Sequence, residues 1–353
     1  MVVQSLLNGL RNRDDISELQ RRLDSLPSDL DALYRHILQR IDPLYIAQAS
    51  RIFQIFNAVP DLQIQTTILE LDLAVTTTHA NMMNPPEVTM SDQEILQRCD
   101  RMSAHLQTRC GGLLEVHDHR DRHWEAIEQM RRDYARQLPN NKKELQLKHI
   151  KKVKADLRVA YLHRTVRDFL AADSVRGILL DHTGPTAQFE PHTSLLMVYT
   201  LNLKSDVCSL HCTAPVSHEA LTWIVVSEAL LIAQKVDSPS ISSMRVRDSI
   251  LNEFSNMALR FANFPLSGQY ALTSWSSRDW DAVFVSAAVK FQLTSFVEHI
   301  LIKDSSLSQG PGGASLLAQA LGYPIDLKLF DRSLNPIRDT RQPPSPSAVH
   351  LLL

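Results

Sequence analysis

The chain has 353 residues, 37 Lys+Arg against 39 Asp+Glu for a net charge of −2, 44% hydrophobic residues, 10 glycines and 4 cysteines. At about 150 residues per domain this is room for two or three domains, and the near-neutral balance excludes a globally basic nucleic-acid coat or an acidic tail protein, since neither could reach its partner through net charge. Glycine falls well under the average of about 7%, which argues against glycine-rich phosphate loops and makes helix the expected class; few cysteines, no signal-peptide core and no apolar run of about 18 residues point to a reducing, cytoplasmic setting with no membrane partner.

In chain order, Val2, Val3, Leu6, Leu7 and Leu10 read as a strand end running into a helix. Nothing ahead of them completes a sheet, so the chain is expected to begin inside a larger domain. Ile16, Leu19 and Leu23 form an apolar stripe over 15–26, and Leu30, Leu33, Tyr34, Ile37, Leu38 and Ile41 form a second, with Pro27-Ser28 and Asp31 as its opening signal. A helix from Leu44 presents Ala49, Ile52, Phe53 and Phe56 and stops before Pro60. Leu62 to Ile64 alternates like a very short strand. Thr67-Ile68-Leu69-Glu70 and Ser91-Asp92-Gln93-Glu94 are capping boxes, the second opening a helix with Ile95, Cys99, Met102 and Leu106 inward.

Gly111-Gly112 ends that helix, and Leu113–Val116 with Val159–Leu162 reads as a hairpin split by an insertion. Helix, short strand, helix, helix, two-strand wing is the order of a winged-helix domain, over 44–173. The insertion, 117–158, is rich in Lys and Arg and lacks an apolar stripe; it reads as a solvated, partly helical surface segment, with nuclear targeting or nucleic-acid contact as the other readings. From 174 to 330 the chain stays helical. Ala220, Leu221, Ile224, Val225 and Leu231 form one core stripe, and Ile250, Phe254, Met257 and Phe261 another. Val283–Ala288 and Ser315–Ala320 suggest two related helix-turn-helix units near the ankyrin period, the fold class being mainly α with degenerate ankyrin-like repeats at the end. Residues 331–353, with Pro343, Pro344 and Pro346, read as a disordered tail.

No self-contained active site appears. The cluster Gly310-Pro311-Gly312-Gly313 lacks the lysine of a phosphate loop, and His163-Arg164-Thr165 has neither the aspartate nor the asparagine of a kinase catalytic loop. His117, His119 and His123 crowd together in a charged insertion without a Cys partner, and Cys208, His211 and Cys212 lack a second ligand pair, so no metal site is assigned. His163 stands out because it sits at a strand end before a helix start, where imidazole and helix amides can hold an anion; in that reading Thr165 with Asp168 caps the helix.

Two stretches, Leu26-Pro27-Ser28-Asp29-Leu30-Asp31-Ala32-Leu33-Tyr34-Arg35-His36-Ile37-Leu38 and Tyr161-Leu162-His163-Arg164-Thr165-Val166-Arg167-Asp168-Phe169-Leu170-Ala171-Ala172, resemble NACHT-type signalling NTPases. Arg51-Ile52-Phe53-Gln54-Ile55 and Cys110-Gly111-Gly112-Leu113-Leu114-Glu115-Val116 follow the order of the fungal branch of that family. The resemblance spans Ser5 to Asp173. It implies that residues 1–43 close a nucleotide-binding domain and form a helical domain, with the winged-helix domain next. The family's phosphate loop and acidic Mg²⁺ motif stand upstream of the region seen here, so the resemblance implies the non-enzymatic back half of such a protein. It further implies that His163 touches the β-phosphate of ADP in an intact parent, that ADP or ATP is held only with the nucleotide-binding domain, and that the partners are proteins. Two other readings remain: a winged helix that binds nucleic acid, against which the acids Asp92, Glu94 and Asp100 on the reader helix argue, and a truncated product with no function of its own.

Overall fold

The computed structural model describes residues 11–24, 29–59, 66–84, 90–117, 155, 157–183, 189–204, 218–236, 241–263 and 275–308. The fold is mainly α with one small sheet. In order it has α1 (Ile16–Asp24), α2 (Leu30–Gln39), α3 (Ile46–Ala58), α4 (Ile68–Thr76), α5 (His79–Met83), α6 (Asp92–Thr108), β1 (Leu114–His117), β2 (Arg158–Tyr161), α7 (Arg164–Ala171) and α8 (Asp173–Thr183). After these come α9 (Pro191–Lys204), α10 (His218–Gln234), α11 (Ile241–Asn263), α12 (Ser277–Lys290), α13 (Thr294–Lys303) and a 3₁₀ turn at Ser305–Ser308. Among the described residues no helix is long and apolar enough to cross a membrane. The expected strand at Leu62–Ile64, most of the 117–158 insertion, the second repeat at Ser315–Ala320 and the 331–353 tail lie outside the described residues.

The chain forms two compact units. The first comprises Met1–Pro60, Gln65–Val75 and Asp92–Phe189; the second comprises Asp61–Ile64, Thr76–Ser91 and Glu190–Leu353.

In the first unit α3 is the central helix, with Ile52, Phe53 and Ile55 at 0% exposure. It is followed by the expected capping box: Thr67 N donates to Glu70 Oε2 at 2.9 Å and Glu70 N to Thr67 Oγ1 at 3.2 Å, which satisfies two amides that the first turn of α4 leaves without helical partners. Ile95, Cys99, Met102 and Leu106 of α6 are all buried. Burying the Ile, Met and Leu side chains stabilises the unit by about 2 kcal/mol each. β1 and β2 pair antiparallel, Leu114 opposite Tyr161 and His117 opposite Arg158. Thr67 bridges Arg158 on the far side of β2, with Val159 N donating to Thr66 O at 3.1 Å and Ile68 N to Leu157 O at 2.8 Å. The described order is thus α3, the bridge at Thr67, helices α4, α5 and α6, and the two-strand sheet of β1 and β2.

Three local expectations need correction. Ile16 is 87% exposed, so α1 is not anchored through that residue. It opens instead with a reciprocal box, Glu18 N donating to Asp15 Oδ1 and Asp15 N to Glu18 Oε2, both at 2.8 Å. The cap of α2 is Asp29, whose carboxylate accepts from Ala32 N at 2.9 Å, while Ser28 lies outside the described residues. On α10 the buried face holds Thr222, Trp223, Val226, Ala229, Leu230 and Ala233, whereas Ile224, Val225 and Leu231 of the expected stripe are half-buried. That helix is apolar nearly all round, so its periodicity does not select a face.

The second unit gathers α5 with α9 to α13. Residues 194–202 of α9 are all buried. Its Lys204 ammonium is sealed from solvent, donating to Met82 O of α5 at 2.9 Å and pairing with Glu253 of α11 at 2.6 Å. Trp223, Trp275 and Trp280 meet with ring centroids 5.4 to 6.3 Å apart, and Trp280 Nε1 donates to Ser255 Oγ at 3.0 Å. The α12–α13 hairpin turns at Gln292, whose φ of 57° is left-handed.

Candidate functional site

β2 runs into α7 through His163, whose backbone is extended at φ −154° and ψ 156°, the geometry an N-cap needs. The imidazole is itself the cap. Its Nδ1 accepts from Thr165 N at 3.3 Å and lies 2.9 Å from Thr165 Oγ1. This replaces the expectation that Thr165 and Asp168 cap the helix: Asp168 faces Arg164 at 3.7 Å and Arg167 at 3.3 Å on an exposed surface. The local order of residues explains the change. The residue at the β-to-α junction has extended backbone geometry and can swing a side-chain acceptor over the first amides, whereas Thr165 is already inside the helix.

A ring whose Nδ1 accepts an amide proton carries, when neutral, its own proton on Nε2. His163 therefore presents an N–H donor on the side of the ring away from the helix, and among the described residues Nε2 has no partner. His163 is exposed, and the Arg164 side chain beside it is 80% exposed. One outward N–H at the positive end of a helix, with a guanidinium next to it, suits an oxyanion.

Thr165 Oγ1 links this cap to α2, lying 2.7 Å from Tyr34 OH. The Tyr34 ring meets Phe169 at 5.4 Å. Arg35 lies over the other side of the same contact, its guanidinium 5.8 Å from the Phe169 ring centre and donating to Ser174 Oγ at 3.1 Å. These contacts fasten α2 to α7 and the start of α8. Tyr34, Arg35 and Phe169 all stand in the two stretches singled out in the sequence, but 131 residues separate Tyr34 from Thr165 and no periodicity pairs them.

The other candidates sort as follows. His117 ends β1 with Nε2 3.8 Å from Glu115, while His119, His123, Cys208, His211 and Cys212 lie outside the described residues. Among the described residues no three His, Cys, Asp or Glu side chains gather as metal ligands do. Cys110 is buried, and that burial pushes its thiol well above the ordinary range, which leaves it inert as a nucleophile. On α6, Arg98 and Arg101 turn toward the fully buried Asp72, at 3.0 and 2.9 Å, rather than standing out as phosphate contacts.

A family model described as a domain of unknown function (DUF7791) matches residues 40–210, which takes in α3 through α9. No curated protein and no solved structure matches the chain.

Proposed function

We propose that this chain is the regulatory and scaffolding portion of a NACHT-like signal-transduction NTPase of the fungal incompatibility or innate-immunity type, acting in the cytoplasm and performing no reaction itself. The observation that carries the reading is the arrangement at His163: a capping imidazole with its N–H turned outward, tied through Thr165 to Tyr34 of α2. The donor set fits the end of a nucleoside diphosphate. His163 Nε2 would donate to a β-phosphate oxygen of ADP, with Arg164 beside it supplying positive charge. ADP held by a nucleotide-binding domain would supply the anionic oxygens for His163 and Arg164 to hold.

The coupling follows from differential contact. If the winged-helix elements touch ADP only in the docked state, loss of ADP lowers the docked population, and the cost is shared with whatever protein binds the opened form. Helices α9 to α13 are the surface offered to such protein partners.

The test is ADP retention by this chain assembled with the nucleotide-binding domain of an intact parent, read with a fluorescent ADP. His163→Asn is the informative variant. Asparagine still caps a helix, so it removes the outward donor without fraying α7. ADP release is expected to speed up about tenfold, the effect of losing one hydrogen bond to a charged group of about 1.5 kcal/mol. Release as slow as in the unaltered protein would defeat the proposal.

A further inference from the structure

Three short contacts at the β2–α7 junction have one consistent set of hydrogens. Thr165 N stands 3.3 Å from His163 Nδ1, Thr165 Oγ1 stands 2.9 Å from the same Nδ1, and Tyr34 OH stands 2.7 Å from Thr165 Oγ1. An amide N–H can only donate, so Nδ1 is an acceptor and carries no proton of its own. The contact with Thr165 Oγ1 then takes the hydroxyl hydrogen, because Nδ1 has none to give. With that hydrogen spent on the ring, Thr165 Oγ1 meets Tyr34 as an acceptor, and the phenol donates. Acidity favours the same direction, a phenol being a more acidic donor than an aliphatic hydroxyl. The reverse set fails at Thr165 N. A proton on Nδ1 would let the ring donate to Thr165 Oγ1 and that hydroxyl donate to Tyr34, but the amide would then face an N–H and the helix would lose its cap.

Tyr34 belongs to α2 and is 6% exposed, and among the described residues its hydroxyl bonds Thr165 alone. Its ring rests on Phe169 of α7, so the phenol reaches Thr165 only while α2 lies against α7. Hydrogen bonds in a chain polarise one another, each donation making the next group a better donor. This chain runs from Tyr34 through Thr165 into the ring and ends on the outward Nε2–H.

We infer that Tyr34 is a positioning residue for His163, and that the α2–α7 contact thereby regulates the oxyanion site. The phenol aims the Thr165 hydroxyl at Nδ1, which holds the imidazole in its Nε2–H form with the donor turned outward. The consequence for ADP rests on the reading of His163 given above; the choice of tautomer does not. Parting α2 from α7 frees the Thr165 hydroxyl to turn, and the longer amide bond alone then holds the ring. Linkage makes the effect mutual, so an oxyanion on Nε2 tightens the α2–α7 contact.

The first measurement needs no nucleotide. In the full chain carrying isotope-labelled histidine, proton–nitrogen spectra of the imidazoles at about pH 8.5, where an ordinary imidazole is neutral, report which ring nitrogen carries the proton. The signal of His163 is identified by its loss in His163→Asn. The unaltered chain is expected to show the Nε2–H form. Tyr34→Phe keeps the ring on Phe169 and deletes the donor, and the ratio of Nε2–H to Nδ1–H is expected to fall about fivefold, the effect of one neutral hydrogen bond. Thr165→Val cuts the same chain from the α7 side and is expected to act alike, while Thr165→Ser keeps the hydroxyl and leaves the ratio as it was. An Nδ1–H form in the unaltered chain, or an unchanged ratio in folded Tyr34→Phe, overturns the inference; Thr165→Val decides in its place if Tyr34→Phe does not fold. The second measurement is ADP release from the assembly with a nucleotide-binding domain. Tyr34→Phe is expected to speed release about threefold, part of what losing the donor itself costs, and to add nothing once His163→Asn is present. Equal effects of Tyr34→Phe in both backgrounds would mean that the hydroxyl does not act through His163, and would overturn the positioning role. If His163→Asn leaves ADP release unchanged while the tautomer ratio falls in Tyr34→Phe, the nucleotide reading fails and the positioning role stands.

Discussion

Asp72 on α4 has no exposed side-chain surface, yet it is an acid, and its two oxygens are taken up by Arg98 and by the bidentate Arg101, both from α6. Removing the charge leaves two guanidiniums facing an amide. Both arginines keep contact with water, at 25% and 46% side-chain exposure, so the loss is smaller than the 3–5 kcal/mol of a fully buried pair. Asp72→Asn is expected to destabilise the first unit by about 2 kcal/mol, measured by urea denaturation followed by circular dichroism; a change below about 0.5 kcal/mol would mean the pair contributes little. At the same scale, His163 was legible as a residue of interest from its place before a helix. Its capping role was not, because capping depends on which side chain stands at the junction in an extended conformation, and that is fixed only when β2 pairs.

Between α6 and β1 the chain reverses at Gly111 and Gly112, both left-handed at φ 59° and 72°. Glycine is needed there because any Cβ is crowded in that region of conformation. The two positions are not equivalent. A Cβ on Gly111 would collide with Cγ2 of Ile37 on α2, whereas one on Gly112 meets nothing. Gly111→Ala is therefore expected to cost about 2–4 kcal/mol, strain plus overpacking, and Gly112→Ala about 1 kcal/mol, strain alone. Equal costs for the two variants in the same denaturation experiment would refute the packing part of the argument. The pair was readable as a helix stop; the closeness of Ile37 was not, since it depends on α2 lying against that turn. The α10 face failed for the related reason that an apolar stripe all round a helix leaves the choice of face to its neighbours, and in the structure the tryptophans Trp223, Trp275 and Trp280 come together.

At the scale of the molecule, the chain does not divide where its composition changes. Residues 76–91 run from the last residue of α4 to the start of α6, yet they belong to the second unit, where Met82 is fully buried and its carbonyl accepts from Lys204. A polypeptide of residues 190–353 alone would lack α5 and leave Lys204 one partner short in an apolar setting. It is expected to bind a hydrophobic dye and to lose near-ultraviolet dichroism, both reversed when a peptide of residues 76–91 is added. A 190–353 polypeptide with the cooperative unfolding of the whole chain would show that α5 is dispensable. What the sequence determined was the helix content, the box at Thr67–Glu70 and the glycine stop, because each rests on contacts within a few residues of backbone. The tertiary structure alone decided the Tyr34–Thr165 link, the double clamp on Asp72 and the membership of α5. Each of these joins residues tens of positions apart, and no local pattern encodes where a folded chain brings two such surfaces together.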